Sequence, residues 1–231
     1  WGNSAPPVLY DLTNGKRYIA NTTVAGLLRF ALPASAADRK LVLVSEDVTN
    51  TPGITSLSTR NFINYATSSN QGNYLIISSK RLFGNGNPVE AYRAYRSTAA
   101  GGSYNAKVIE IDELIDQFAY GIKKHPLSVK NFLRYARKNF AVPPEFAFLI
   151  GKAVTYNEYR FYQSSVNDDI LDLVPTFGWP ASDVLLACEP AKYVPLIPIG
   201  RIAVVNGTEL GHYLDKMKEY EQVQATPSCS I

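Results

Sequence analysis

The sequence contains few of the side chains that carry covalent or metal chemistry. Its 231 residues include only two cysteines, two histidines and one methionine. No Cys-x-x-Cys pair or zinc-ligand spacing occurs, which excludes the common zinc motifs. Cys188 follows an apolar stretch and Cys229 lies two residues before Ile231, so a disulfide and two free thiols both stay open. A Cys188 and His212 pair of nucleophile and base is a weaker alternative, because such pairs meet only in space.

Long apolar runs and an excess of charge are also missing. No apolar run approaches the roughly 20 residues of a membrane-spanning helix. The formal net charge is +3 without a basic block, so there is no electrostatic footprint for nucleic acid. Because 46% of the residues are hydrophobic and 19% charged, disorder is excluded. We therefore expect a globular chain with no membrane span and no nucleic-acid partner. The start, Trp1-Gly2-Asn3, has no signal-peptide features, so we expect a processed or truncated chain.

Residues 1–71 are rich in Asn, Thr, Ser and Gly and show no helical period. Four short apolar runs predict strands at residues 8–10, 18–20, 27–31 and 41–44. Asn14-Gly15 lies between the first two runs and favours a hairpin turn. The sequence thus predicts a small, sandwich-like β segment that packs against the residues C-terminal to it or against strands upstream.

Residues 72–222 alternate between strand and helix patterns. Apolar runs predict strands at residues 74–78, 107–111, 146–150, 183–187 and 196–203. Helices are predicted from Pro88, with Asn87 as cap, around residues 113–120, through Val129 and Phe132, and from Thr208 to near Gln222. The alternation is typical of an α/β fold with a mostly parallel sheet flanked by helices. Residues 223–231 are predicted to form a flexible tail.

Residues 152–182, here called the excursion, interrupt this rhythm after the third strand of the sheet. They contain several aromatic residues, and α/β sheets place their sites at the edge where such strands end. The candidate binding-cleft residues are Tyr156, Tyr159, Tyr162 and Trp179. Packing of these rings onto the sheet is the favoured interpretation, with a ligand cleft as the alternative.

Two other patterns are too weak to predict a cofactor or a metal. Gly84 and Gly86 lie between a strand and a helix, but Val89 stands where a dinucleotide fingerprint has its third glycine. Asp168, Asp169 and Asp172 lack the spacing of a calcium loop, so a solvated acidic turn or a helix start is favoured. We expect no cofactor and no bound metal.

Three stretches of residues 72–221 resemble the gingipain family of cysteine peptidases, family C25. They are the apolar strand 146–150 ending in Gly151, the Ser182-Asp183 pair, and the module at residues 197–221 with Gly200-Arg201 and Tyr220-Glu221. Within that family, the sequence resembles the PorU-like signal peptidases of type IX secretion in Bacteroidetes more than the gingipains themselves. The opening at residues 8–14 is similar to the β segment that precedes their peptidase part. One departure is that Lys152 stands where the family has an aspartate, which reverses a charge and puts the usual cleft in doubt.

The resemblance implies a gingipain- or caspase-like first subdomain, because the family's catalytic His and Cys belong to a second subdomain that begins after the helix ending here at Tyr220-Glu221. No residue of this sequence is therefore assigned as catalytic. Arg201 is a charge within an apolar strand, so we expect a structural ion pair with a carboxylate, for which Asp183 and Glu221 are the candidates.

The leading hypothesis is a supporting N-terminal part of a C25 cysteine peptidase or of a type IX secretion-associated protein, inactive alone. Its expected partners are the missing peptidase subdomain or other secretion components, in a secreted, periplasmic or cell-surface location. The alternative is a stand-alone extracellular module that binds a peptide, a protein or a glycan through residues 156–179. A third, weaker hypothesis is an independent hydrolase that uses Cys188 and His212.

Overall fold

The computed structural model describes residues 6–47, 50, 53, 56, 59–84, 86–162 and 170–225. The chain divides into two compact units, residues 1–60 and residues 61–231. Residues 61–71, placed by the sequence with the β segment, thus belong to the second unit.

The first unit contains a three-stranded antiparallel sheet. Its strands are β1 (Val8–Asp11), β2 (Lys16–Ile19) and β3 (Leu41–Val44), in the order β2-β1-β3. The predicted hairpin turn joins β1 to β2. In that turn the Asp11 carboxylate accepts hydrogen bonds from the backbone N–H groups of Thr13 and Asn14, at 3.1 and 3.0 Å. The predicted strand at residues 27–31 is wrong, because only Arg29 pairs, in an isolated bridge with Asn21.

The second unit is built on a four-stranded parallel sheet. Its strands are β4 (Tyr74–Ser78), β5 (Ala106–Glu110), β6 (Phe146–Ile150) and β7 (Ile199–Ile202), in the order β5-β4-β6-β7. Every residue of the central strand β4 is buried. This agrees with its unbroken apolar sequence, which is typical of a strand covered on both faces. The predicted α/β class is confirmed.

The helices whose full bounds lie in the described part of this unit are α1 (Pro88–Arg96), α2 (Ile111–Phe118), α3 (Leu127–Asn139), α4 (Tyr156–Phe161) and α5 (Gly207–Ala225). Leu75 and Ile77 of β4 belong to the same hydrophobic cluster as α2 and α3. Ile76, between them, belongs to the cluster of α1 and α5. Alternate residues of the strand thus serve two separate cores, because successive side chains point to opposite faces of a sheet.

The predicted strand at residues 183–187 is wrong. Asp183–Leu186 form one turn of 3-10 helix, in which Leu186 is fully buried and Val184 is 40% exposed. A short apolar run fits a strand or a buried helical turn equally well from its pattern alone. The turn lets Leu186 enter the cluster of α2 and α3.

The last helix continues past Gln222, its predicted end, to Ala225. Its first turn is capped by Asn206, not by Thr208 as predicted: the Asn206 Oδ1 accepts from the Glu209 N–H at 3.0 Å. The Glu209 carboxylate in return accepts from the Val205 N–H at 2.8 Å, which completes a reciprocal cap. None of the described helices is both long and apolar enough to cross a bilayer.

Candidate functional site

The carboxyl ends of β4, β5, β6 and β7 form one edge of the parallel sheet, the position at which α/β sheets hold ligands. Ser78, Glu110, Ile150 and Ile202 are the last residues of these strands. The Ser78 hydroxyl donates to the Ile150 carbonyl at 3.0 Å and links the two central strands. We call this region the carboxyl edge.

Arg201 of β7 organises one half of the carboxyl edge. Its Nε and Nη2 donate to the two carboxylate oxygens of Asp183, both at 2.8 Å. Nη1 donates to the carbonyls of Gly151 and Val174, both at 2.7 Å, and Nη2 also donates to Pro175 at 3.2 Å. All five N–H groups of the guanidinium are therefore used. The side chain is only 10% exposed, so the bidentate carboxylate offsets the cost of burying its charge.

Gly151 lets the chain turn away from the sheet directly after β6. Its φ of +138° is one that residues with a side chain rarely adopt, and an added Cβ would lie 2.8 Å from the Leu173 Cβ. The next residue, Lys152, donates its backbone N–H to Val204 and accepts from Leu173, both at 2.9 Å. The backbone of the residue that departs from the family pattern is thus held at the carboxyl edge.

The other half of the carboxyl edge contains a buried carboxyl, Glu110. One oxygen caps α2 by accepting from the Glu113 N–H at 3.2 Å and lies 3.8 Å from the exposed Lys80 ammonium. The other oxygen is buried and accepts no hydrogen bond from the described residues. Burial raises the pKa of the Glu110 carboxyl above its ordinary value. Sequence reasoning missed this residue, whose only signal was a charge at the end of a buried strand.

The two carboxylates expected beside Arg201 lie in different places. Asp183 contacts Arg201 through both of its oxygens, whereas Glu221 accepts from Arg96 Nη1 at 2.9 Å and from the Tyr95 hydroxyl at 2.7 Å. Glu221 thus joins the carboxyl-terminal part of α5 to α1. Its assignment to Arg201 is corrected, since α5 carries it to the partner on α1.

The structure brings together two of the four predicted cleft residues. Tyr156 and Trp179 line a cavity of about 440 Å³ together with His125 and Phe177. Tyr159 is buried, and the ring of Tyr162 packs against Phe161 at 4.7 Å between centroids. Whether a ligand occupies this cavity stays a prediction.

His125 lines the same cavity from the segment just before α3. Its ring lies 4.9 Å from that of Tyr156, and its Nδ1 accepts from the Leu127 N–H at 3.1 Å. Burial, and to a smaller extent the charge of Arg160, lowers the pKa of His125.

Cys188 lies in the buried interior of the second unit. It is fully buried with a free thiol, and its Sγ donates to the Val184 carbonyl at 3.2 Å. No hydrogen bond joins it to a histidine in the part of the chain that the structure describes; His125 precedes α3 and His212 is exposed on α5. The pairing of Cys188 with His212 is therefore not made in this structure. Cys229 lies outside the described residues.

Asp172 is buried, against the expectation of a solvated turn. Its Oδ1 accepts from the Val154 N–H at 3.2 Å, and its carbonyl accepts from the Lys124 ammonium. Asp168 and Asp169 lie outside the described residues. Within residues 6–162 and 170–225, so far as the structure describes them, no group of three His, Cys, Asp or Glu side chains fits a metal ion.

A parallel sheet flanked by helices defines an α/β protein, a class in which ligands usually bind at the carboxyl ends of the strands. The model of Peptidase family C25 matches residues 67–230. The chain therefore belongs to this family of cysteine peptidases, as the resemblance predicted. No curated protein and no solved structure matches the sequence.

Proposed function

We propose that this chain supplies the supporting α/β part of a C25 cysteine peptidase and is inactive alone. In this proposal the nucleophilic Cys and its His come from a second subdomain, as the family resemblance implies. The carboxyl edge then forms one wall of the peptidase site.

The observation that carries the proposal is the environment of Cys188. A catalytic thiol must reach the substrate and a base, and it acts as a thiolate in a polar, accessible place. Cys188 is instead 0% exposed and bonded to a backbone carbonyl in its own turn. A buried free cysteine of this kind acts as a small apolar side chain.

Arg201 gives the supporting role a physical basis. Through it, β6, β7, the end of the excursion and the turn at Asp183 are tied to one another by a single side chain. A wall that is held in this way stays in place when a substrate or a second subdomain docks against it.

The proposal is tested by the reactivity of Cys188. In a Cys229→Ser variant Cys188 is the sole thiol, so a thiol-reactive peptide probe reports on it alone. We expect no labelling of the folded chain, rapid labelling after denaturation, and no cleavage of a mixed peptide library. The complete product of the gene is expected to cleave the same library.

Two results would contradict the proposal. One is fast labelling of folded Cys188 together with peptide cleavage that Cys188→Ser abolishes. The other is a complete gene product without any peptidase activity.

The finer assignment to a PorU-like protein of type IX secretion is part of the same proposal. It is supported by the opening at residues 8–14, whose Asp11 caps the first hairpin turn, and by the family, whose members are usually extracellular. We propose a secreted, periplasmic or cell-surface location, with secretion components as partners.

A further inference from the structure

Two cavities of the second unit adjoin on the α3 side of the molecule. Leu127 and Phe177 line both of them. One is the aromatic cavity of His125, Tyr156 and Trp179; the other, of about 400 Å³, is lined by Lys130, Arg134, Glu189, Lys192 and Tyr193 among others. We call the two together the Phe177 groove and its halves the aromatic lobe and the cationic lobe.

Lys130 is the central feature of the cationic lobe. It is only 8% exposed, its ammonium donates to the Leu185 carbonyl, and its Nζ lies 4.3 Å from the centroid of the Phe177 ring. No carboxylate forms an ion pair with it among the residues that the structure describes. Burying a charge that has no ion-pair partner is costly, and burial lowers the pKa of Lys130, an effect that the charge of Glu189 offsets only in part. An anion in the cationic lobe would remove this cost.

The other charged side chains of the cationic lobe also favour an anionic ligand. Arg134 and Lys192 add two cations, against one carboxylate, Glu189. Arg134 Nε lies 3.9 Å from Glu189 Oε2, and both side chains are nearly half exposed, so this pair is weak and leaves Arg134 available to a ligand. The cationic lobe therefore favours a carboxylate ligand.

The aromatic lobe favours a flat or apolar group of the same ligand. Trp179 is 75% exposed and Tyr193, which lines the cationic lobe, is 82% exposed, which is unusual for rings of this size. Exposed aromatic side chains around a concave surface mark a place for a flat or apolar group. A ligand that fills both lobes must therefore carry an apolar or aromatic group and a carboxylate on one extended backbone.

We propose that the Phe177 groove binds an extended acidic peptide segment, with an aromatic or apolar side chain against Tyr156 and Trp179 and a carboxylate at Lys130 and Arg134. This binding does not depend on peptidase activity, and it uses residues of this chain alone.

The probe is a blocked peptide of alternating glutamate and phenylalanine, titrated into the purified chain by calorimetry and by NMR of the tryptophan indole N–H signals. We expect saturable binding with a dissociation constant on the order of 100 μM or below, weakened by added salt. The Trp179 indole signal, assigned with Trp179→Phe, is expected to shift.

Two charge variants locate the carboxylate. Lys130→Met keeps an unbranched side chain, one atom shorter, but removes the ammonium, and Arg134→Glu reverses an exposed charge; each is expected to weaken binding about tenfold or more. Arg137→Glu is the matched control, because Arg137 is exposed on the same helix outside both cavities. It is expected to change the dissociation constant less than about twofold. Circular dichroism checks that the Lys130→Met variant is folded. Arg134→Glu changes a surface residue, so it tests the role of the positive charge even if Lys130→Met does not fold.

Several outcomes would overturn the proposal. They are no binding at 1 mM peptide (about ten times the expected constant), equal affinity for an alternating lysine and phenylalanine peptide, and equal effects of Arg134→Glu and Arg137→Glu. Binding of free glutamate as tight as that of the peptide would indicate a simple anion site. Binding of a neutral oligosaccharide instead of the peptide would indicate a glycan site.

Discussion

Arg201 shows how one side chain can hold several segments of backbone. We expect Arg201→Lys to lower the free energy of unfolding by about 2–4 kcal/mol, although the charge is kept. A lysine ammonium has three donors and cannot reproduce the two-oxygen contact with Asp183 while also reaching the Gly151 and Val174 carbonyls. Urea denaturation followed by circular dichroism measures the change.

Arg137→Lys serves as the control for this prediction. Because Arg137 is exposed on α3, we expect this substitution to change the free energy of unfolding by less than about 0.5 kcal/mol. If both lysine variants were equally stable, the guanidinium contacts of Arg201 would not be stabilising and the account of the carboxyl edge would be wrong.

The sequence could indicate part of this arrangement. A charge within the apolar stretch 197–203 indicates a buried guanidinium, and Asp183 was one of two candidate partners. The carbonyls of Gly151, Val174 and Pro175 carry no sequence signal, because any residue offers the same acceptor. Glu221 could not be assigned to Arg96, since these residues are 125 positions apart and meet only through packing of α5 on α1.

At the scale of the elements, the end of β6 depends on a glycine. We expect Gly151→Ala to lower the free energy of unfolding by about 2–4 kcal/mol. The added Cβ would meet Leu173 at 2.8 Å in a backbone conformation that alanine rarely adopts. Thermal and urea unfolding measure the loss.

Gly211→Ala is the matched substitution within a helix. Gly211 lies in α5, and an added Cβ there meets nothing within 4 Å. Because alanine is a better helix former than glycine, we expect this substitution to raise the free energy of unfolding by about 0.5–1 kcal/mol. If Gly151→Ala and Gly211→Ala changed the free energy of unfolding in the same direction, the conformational role given to Gly151 would be contradicted.

Short apolar runs were the weakest basis for predicting elements. Residues 74–78 and 183–187 have similar apolar patterns, yet the first forms β4 and the second a helical turn. The difference arises from tertiary contacts: β4 has a neighbouring strand on each side, whereas the turn at Asp183 is set against Arg201. A sequence of five residues does not show which distant residues will become its neighbours.

At the scale of the whole molecule, the two units differ in what they bury. Both large hydrophobic clusters are formed by residues of the second unit alone. In the first unit Leu41, Val42 and Leu43 of β3 are about 40% exposed and Ile19 of β2 is 60% exposed.

We therefore expect residues 61–231, produced alone, to unfold cooperatively and residues 1–60, produced alone, to show no cooperative transition. Small sheets with little buried surface are marginally stable in isolation. Circular dichroism during thermal unfolding and gel filtration test both fragments. A non-cooperative fragment 61–231 would mean that its two hydrophobic clusters are insufficient for folding.

The class of fold was predictable because continuous apolar strands alternate with amphipathic helices, a pattern that local sequence retains. The Phe177 groove was not, because its walls come from α3 and the residues just before it, from the start of α4 and from residues 177–193, which have no periodic relation to one another. Lys130 gave one local signal, a charge directly beside the buried positions Val129 and Phe132 of α3. That no carboxylate among the described residues forms an ion pair with Lys130 is visible only in three dimensions.

The two carbonyls held by Arg201 Nη1, those of Gly151 and Val174, mark the start and the end of most of the excursion. The residue at which the chain leaves the sheet and a residue 23 positions later are thus held at the carboxyl edge by a single nitrogen atom. Since doubling the length of a loop closed at fixed ends costs only about 0.6 kcal/mol in entropy, insertions between these two points disturb the sheet little. A change in the length of this stretch is therefore expected to leave the carboxyl edge in place, provided that the buried residues Tyr159, Asp172 and Leu173 are kept.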